Sequence, residues 1–327
     1  MTTCSIVIPV YNRAALTRQC VETLLASPPE GAEVEIIVVD DASSDSIAAA
    51  LAGLAEGVRI IRHEENLGFA TTCNDGAAAA SGDWLVFLNN DTVPKPGWLD
   101  ALLRYAFDHE RLGLVGAKLL FPNERIQHAG VAFARDRSPR HIYAGFPADH
   151  PAVNKSREFQ VVTAACALMR RELFAEAGGF DPAFVNGYED VDLCLRLRAG
   201  GYEVHYCHQS VVSHLESATR DYDTDAANFG LFLDRWSDTV QQDDLSYYVE
   251  DGLLDFAYWD LYPALVSVSP LLAVLDERAT ETERLLAEQS RTLEELVKEN
   301  TRLRVEVLEA QERARFEETS PPSDALR

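Results

Sequence analysis

An α/β domain built on a largely parallel sheet is the fold class this sequence predicts, on three observations. Short apolar, β-branched runs recur through the first 90 positions, Ala- and Leu-rich stretches of helical length separate them, and the runs end in Asp- and Asn-rich segments. Runs without a polar face mark strands covered by helices on both sides, as in parallel sheets joined by crossovers.

The elements follow in order. SIVIPV (5–10), VEIIVVD (34–40), VRIIRH (58–63) and DWLVFLN (83–89) read as strands, and the intervening 13–26, 44–55 and 69–80 suit crossover helices. After residue 110 the pattern loosens. Apolar runs at 112–120, 159–170 and 202–213, with helices expected at 171–178, 189–199 and 224–236, predict a more mixed second half of one domain spanning 1–240. Residues 241–275 turn aromatic and acidic and end in LYPALVSVSPLLAVL, too short and too proline-broken to cross a bilayer, so they are read as a helical connector packed on that domain.

Residues 276–316 carry a seven-residue apolar repeat almost free of Gly and Pro. Ala279, Leu286, Leu293, Asn300, Val307 and Ala314 fall at position a, and Thr282, Gln289, Leu296, Leu303 and Ala310 at position d. Leu at consecutive d positions with one Asn at a central a position predicts a parallel coiled coil, and so a homo-oligomer. The tail 317–327, EETSPPSDALR, is expected to be disordered.

Composition narrows the function classes. Of 327 residues 47% are hydrophobic and 25% charged, which supports a full core. Fifty-three acidic against 29 basic residues give a formal charge of -24, unfavourable for nucleic acid or anionic lipid. A phosphate-bearing ligand then needs a metal or backbone amides to neutralise it. Six scattered cysteines without a CxxC pair indicate neither a zinc site nor a disulfide framework and fit a reducing compartment. The opening MTTCSIVIPVYN has no basic leader, and no transmembrane segment is expected. These features predict a cytoplasmic protein, with peripheral placement at the inner face of the membrane as the variant.

In an open parallel sheet, ligands bind beyond the carboxyl ends of the strands. Here those ends read Pro9-Val10-Tyr11-Asn12, Asp40-Asp41-Ala42-Ser43-Ser44-Asp45 and Asn89-Asn90-Asp91-Thr92, so three polar clusters should converge on one edge. GxGxxG and GxxxxGK[ST] are both absent from the sequence, which argues against dinucleotide and P-loop chemistry. Carboxylates and amides suit a base, a ribose and a divalent cation bridging a diphosphate. Turn or helix-capping duty is the plain alternative for Asp40 and Asp41. A further acidic run, Glu189-Asp190-Val191-Asp192, opens a helix after Gly187; three acids there also favour the helix dipole.

Over about residues 3–236 the sequence resembles the inverting glycosyltransferase family 2, of GT-A fold, and within it the bacterial rhamnosyl and galactofuranosyl transferases of surface polysaccharides. SIVIPVYNR, EIIVVDDASSD, NLGFATTCNDGAAAASGDWLVFLNNDTVPKPGWL, RIQHAGVAF, GGFDPAFVNGYEDVDLCLRLRAGGYEV and VVSHLES carry the resemblance, in that order. It implies transfer of a sugar from a UDP- or dTDP-sugar donor to a hydroxyl of a glycan or lipid-linked glycan acceptor. Pro9, Tyr11 and Asn12 would shape the nucleoside pocket, Asp41 or Asp40 would read the pyrimidine, and Asn66, Gly68 and Asn74 would lie against the nucleotide. Asn89-Asn90-Asp91 stands where the family has its DxD motif, so Asp91 would hold Mn²⁺ or Mg²⁺ with His214, while Asn89 and Asn90 contact ribose or water. Asp190 would be the catalytic base and Glu189 would orient the acceptor; Asp192 is read as structural, as are His63, His128, His205 and His208. A nucleotidyltransferase and an inactive family member serving as a coiled-coil scaffold are the competing readings.

Overall fold

The computed structural model describes residues 2–54, 57–215, 222–259, 262–268 and 303. The chain begins β1 (Thr2–Val10), α1 (Ala14–Ala26), β2 (Ala32–Asp40), α2 (Ile47–Ala50), β3 (Val58–Arg62), α3 (Phe69–Ala79), β4 (Trp84–Leu88), β5 (Thr92–Pro94) and α4 (Trp98–Phe107). It continues β6 (Leu112–Leu120), β7 (Ile126–His128), β8 (Val131–Phe133), β9 (Pro139–His141), β10 (Arg157–Phe159), β11 (Cys166–Arg170), α5 (Arg171–Glu176), α6 (Glu189–Ala199) and β12 (Glu203–His214). Then come α7 (Tyr222–Trp236), α8 (Asp244–Glu250), β13 (Leu254–Trp259) and β14 (Tyr262–Val268).

Among the described residues one ten-stranded sheet runs β10-β12-β6-β11-β4-β1-β2-β3, with β5 beside β12 and β7 beside β6. The predicted α/β class holds. β1, β2, β3 and β4 pair in parallel, and Val7, Ile37, Val38 and Phe87 are fully buried, as continuous apolar runs require. Gly76 lets α3 lie directly on β1, since a Cβ there would come 2.4 Å from a Val7 methyl carbon. Truncating a side chain such as Phe87 in this layer costs about 3–5 kcal/mol.

Beyond β4 the sheet is mixed. β11 inserts antiparallel between β4 and β6, whereas β12 runs parallel to β6. β12 is interrupted: Cys207 faces Ala117 and Val211 faces Lys118, so residues 208–210 bulge out of the ladder. Past the bulge β12 pairs antiparallel with β5, and His214 lies opposite Thr92.

Four expectations need correction. The helix expected at 44–55 shrinks to the single turn of α2, capped by Ser46 and followed by turns. α4 was not anticipated, although Trp98, Leu99, Leu102, Leu103 and Ala106 give it one buried stripe. The first compact unit extends to Asp251 rather than 240, because buried Asp251 pairs with Arg157 and Lys155 and carries α8 with it. The helical connector contains instead an antiparallel hairpin, β13–β14, within a second unit of residues 252–327. Its LDFAYW and YPALVSV strands are rich in aromatic and branched residues, and Pro263 disfavours a helix there. The expected coiled coil and tail, Leu303 apart, lie outside the described residues.

Candidate active site

The carboxyl ends of β1, β2 and β4 open into a cavity of about 680 Å³, closed on the far side by the start of α6 and by the β8–β9 hairpin. Pro9, Tyr11, Asp41, Asn66, Gly68, Asn89, Asn90, Asp91, Glu189, Asp190 and His214 all line it. Residues up to 205 positions apart in sequence, Pro9 and His214, are thus brought to one wall, as the strand-end rule requires. Asn12, Asp40 and Asn74 do not line it.

Those three polar side chains serve the backbone instead. Asn12 has φ 62° and its amide oxygen accepts from the Ser44 N–H at 2.8 Å, while its own N–H donates to Ser43 Oγ at 2.7 Å. Asp40 is buried, pairs with Arg62 and accepts from the Ser43 N–H at 2.9 Å. Asn74 donates to the Phe180 carbonyl at 2.8 Å and accepts from the Phe180 N–H at 2.9 Å, a two-point clamp on a loop 106 residues away. Of the two carboxylates left open by the sequence, Asp41 is the one on the cavity. Its oxygens accept from the Leu67 N–H at 2.8 Å and the Gly68 N–H at 3.0 Å, which folds the segment carrying Asn66 against the end of β2. Gly68 has φ 83° at the start of α3, a conformation that suits glycine.

At the end of β4, Asn90 donates to Thr17 Oγ1 at 2.9 Å and Asn89 Nδ2 lies 3.4 Å from His214 Nε2. Asp91 Oδ1 is 3.0 Å from the same Nε2. The β5–β12 register makes this meeting possible, and the Leu215 N–H donates to the Asp91 carbonyl at 2.8 Å. Gln127 Oε1 lies 2.7 Å from His214 Nδ1, so with that oxygen accepting, Nδ1 carries the proton and Nε2 turns a lone pair toward the carboxylate. Facing lone pairs are stable only with a proton or cation between them. Asn89 Oδ1 is buried without a partner beside them. Imidazole nitrogen and carboxylate oxygen form a donor pair that fits a divalent cation, and nitrogen favours Mn²⁺ over Mg²⁺. No group of three or more His, Cys, Asp or Glu side chains converges among the described residues, so a cation here would take its remaining ligands from solvent or a bound phosphate.

On the same cavity, Asp190 occupies the first turn of α6. Oδ2 accepts from the Ala164 N–H at 3.1 Å and Oδ1 from its neighbour Val191 at 2.8 Å. Burial lifts its carboxyl above the usual carboxylate range, only partly offset by these hydrogen bonds. Glu189 accepts from the Gly187 N–H at 2.6 Å, which ties it to the turn before the helix. Asp192 faces away: it receives Arg196 at 2.7 Å and the Trp236 indole N–H at 2.9 Å, joining α6 to α7.

Other wall residues escaped the sequence reading. Arg13 lines the cavity in left-handed conformation at φ 63°. Asn186 and Tyr188, at φ 52° and 71°, frame the acidic turn. His141 belongs to the hairpin wall and its Nδ1 is 2.8 Å from His128 Nδ1. Burial, then His141 and His214, hold the His128 pKa well below its ordinary value. Positive φ and hairpin pairing leave no signal in composition; the only hint was a basic residue directly after PVYN.

Residues 5–178, more than half of the chain, match the Glycosyl transferase family 2 profile. The chain belongs to glycosyl transferase family 2. This family 2 chain is 35% identical over 228 residues to the O-antigen biosynthesis protein RfbC of Myxococcus xanthus, an alignment covering 67% of the chain and 18% of that protein. It is 27% identical over 238 residues to the N-acetylglucosaminyl-diphospho-decaprenol L-rhamnosyltransferase of Mycobacterium tuberculosis strain H37Rv, covering 65% of the chain and 78% of the relative. An uncharacterised Sinorhizobium fredii protein, y4gI, is 31% identical over 67% of the chain, which spans 25% of its length. The family 2 chain thus corresponds to only a part of some longer relatives. GalNAc-T7 with UDP, GalNAc and Mn²⁺ superimposes with a TM-score of 0.60 at 17% identity, over 73% of the chain and 49% of the other. The mannosyltransferase PcManGT of Pyrobaculum calidifontis, with GDP-Man and Mn²⁺, gives 0.54 at 18% identity, over 76% and 68%. Both likenesses fix the fold as GT-A.

Proposed function

We propose that this chain transfers a sugar from a UDP- or dTDP-sugar to a hydroxyl of a glycan or lipid-linked glycan, with inversion, in bacterial surface polysaccharide synthesis. One observation carries the reading: a single cavity is lined both by a carboxylate of raised proton affinity, Asp190, and by an Asp91–His214 pair suited to a divalent cation. The names of RfbC and the rhamnosyltransferase point the same way for the product class.

Asp190 takes the proton of the acceptor hydroxyl as that oxygen forms a bond to the anomeric carbon. The bond from that carbon to the diphosphate breaks on the opposite face, so configuration inverts and the nucleoside diphosphate departs with the bonding pair. A raised carboxyl pKa makes the base stronger. Asp41, Asn66 and Gly68 form the nucleoside end with Pro9 and Tyr11; Asn89 and Asn90 lie between that end and the pair that would hold Mn²⁺ or Mg²⁺. When bound, the cation supplies charge neutralisation for the leaving diphosphate. Glu189, held by the Gly187 amide, orients the acceptor.

The test is transfer from UDP- and dTDP-sugars, with MnCl₂ and with excess chelator, for the parent and for Asp91→Ala. Parent activity that chelator abolishes, and that Asp91→Ala lacks together with metal-dependent donor binding, is expected. Full activity in chelator removes the metal assignment, and absence of turnover with every nucleotide sugar removes the reading itself.

A further inference from the structure

The carboxylate at the nucleoside end does not stand alone. β2 and β3 are parallel with Asp40 opposite Arg62, so the next residues of the two segments, Asp41 and His63, also come together. Each acid receives its own basic partner: Arg62 pairs with Asp40, and His63 Nδ1 lies 2.8 Å from Asp41 Oδ1. On its other side His63 Nε2 is 3.1 Å from Asp75 Oδ2, a charge contact without the alignment of a directed hydrogen bond. The imidazole is 9% exposed, Asp41 5% and Asp75 50%. His63 therefore bridges a buried carboxylate on the cavity wall to a half-exposed one on α3.

Geometry gives this bridge a task. Asp41 Oδ1, the oxygen that meets His63, also accepts from the Leu67 N–H, while Oδ2 accepts from Gly68. The His63 N–H in turn donates to the Asp40 carbonyl at 2.9 Å, so the ring is anchored to β2 through its backbone as well as its side chain. A carboxylate held from three directions presents its remaining lone pair in one orientation. A buried anion in a chain of formal charge -24 also needs a local donor behind it, and His63 is the side chain placed to be one.

We propose that His63 is a positioning residue for the nucleotide, acting through Asp41, and that the carboxylate–imidazole–carboxylate bridge Asp41–His63–Asp75 sets the preference for a uracil or thymine nucleotide over a cytosine one. Uracil and thymine offer a ring N–H that a fixed acceptor reads, whereas cytosine has an unprotonated acceptor nitrogen at that place, and a carboxylate free to rotate loses that discrimination. The inference rests on the proposed role of Asp41 at the nucleoside end.

Calorimetric titration of the full chain with UDP, dTDP and CDP, each with MnCl₂, tests it, alongside thermal melting and, for the UDP- or dTDP-sugar that is turned over, the donor KM and kcat. His63→Asn keeps an amide N–H near the Nδ1 position, whereas His63→Leu does not. His63→Leu should weaken UDP and dTDP by about ten- to a hundredfold, the loss expected for one hydrogen bond to a charged group, with little change for CDP. Its donor KM should rise with kcat largely kept, and His63→Asn should restore most of the affinity. Asp75→Asn, at a half-exposed position that should tolerate the change, should weaken the same nucleotides about two- to fivefold. A folded His63→Leu with parental UDP and dTDP affinity, equal losses in His63→Asn and His63→Leu, or an unfolded His63→Leu beside a parental Asp75→Asn would each overturn the proposal. A parent that binds none of the three nucleotides removes the donor reading with it; a parent that binds while the variants match it removes only this inference.

Discussion

At the scale of single residues, Asp190 is where chemistry and stability pull in opposite directions. Burial raises its carboxyl pKa, so its ionised form is disfavoured by the fold. The folded pKa lies above the unfolded value, so the stability this group contributes is fully present below the unfolded pKa and is lost as pH rises through the folded one. With Asp190 as the proposed base, activity has the opposite sign, since a base must be ionised: transfer should rise with pH through a value above the usual carboxylate pKa of about 3.9 and then level off. Asp190→Asn should lower transfer by about a hundred- to ten-thousand-fold, leave nucleotide binding intact, and not lower the melting temperature near neutral pH. Initial rates across a pH series and melting curves for parent and variant check both halves; a variant that transfers at parental rate assigns the base elsewhere. The residue scale also shows what was legible. Asp91, His214 and Asp190 could be placed by motif because their neighbours in sequence carry the pattern. Asn12, Asp40 and Asn74 could not be told from cavity-lining residues, because an Asn that clamps a backbone and an Asn that faces a cavity have the same chemistry and differ only in what lies opposite. His63 was missed for the converse reason: its partners are 22 residues before it and 12 after it, and only the β2–β3 register joins them.

Among elements, the loop between α5 and α6 governs how Asp190 is presented. Asn74 on α3 holds Phe180 by two hydrogen bonds, and Phe180 packs against Phe69, Phe87 and Phe174 with ring centroids 6.0, 4.9 and 5.3 Å away. Asn186 lies farther along the same loop, its Oδ1 accepting from the Phe69 N–H at 3.4 Å. Asn74→Ala should destabilise the protein by about 2–4 kcal/mol, since two buried backbone groups lose partners, and should reduce transfer through loss of order in the acidic turn. Urea unfolding read against transfer rate checks this; unchanged stability would show that Phe180 is held by packing alone. The first-half strands were legible because two-face burial writes an unbroken apolar run. β8, β9 and β10 were not, since each is only three residues long, too short to write an alternating or continuous apolar pattern. α4 had a clear apolar stripe, but its Pro- and Gly-containing lead-in resembles an extended loop.

For the whole molecule, the heptad segment 276–316 predicts a parallel homodimer, with Glu299 at g of one helix facing Arg304 at e of its partner. Light scattering of the full chain should give twice the monomer mass, and a chain ending at 275 should give the monomer. A monomeric full chain, or a dimer that survives truncation, removes the coiled-coil assignment. The acidic balance of the chain, -24 in charge, works against like-charged donors, and the cation suited to Asp91 and His214 is the natural local correction.

The bulge in β12 carries a consequence for how this architecture tolerates change over time. Residues 203–207 take their alignment from β6 and β10, whereas 211–214 also take theirs from β5, and 208–210 belong to neither ladder. A lineage can therefore gain or lose a residue at 208–210 without rotating His214 away from Asp91, because the segment downstream keeps its own pairing. In an uninterrupted strand the same event would turn every later side chain to the opposite face. The slack in the middle of β12 acts as an expansion joint: it lets the rim of the sheet be remodelled while the histidine at its end stays in place.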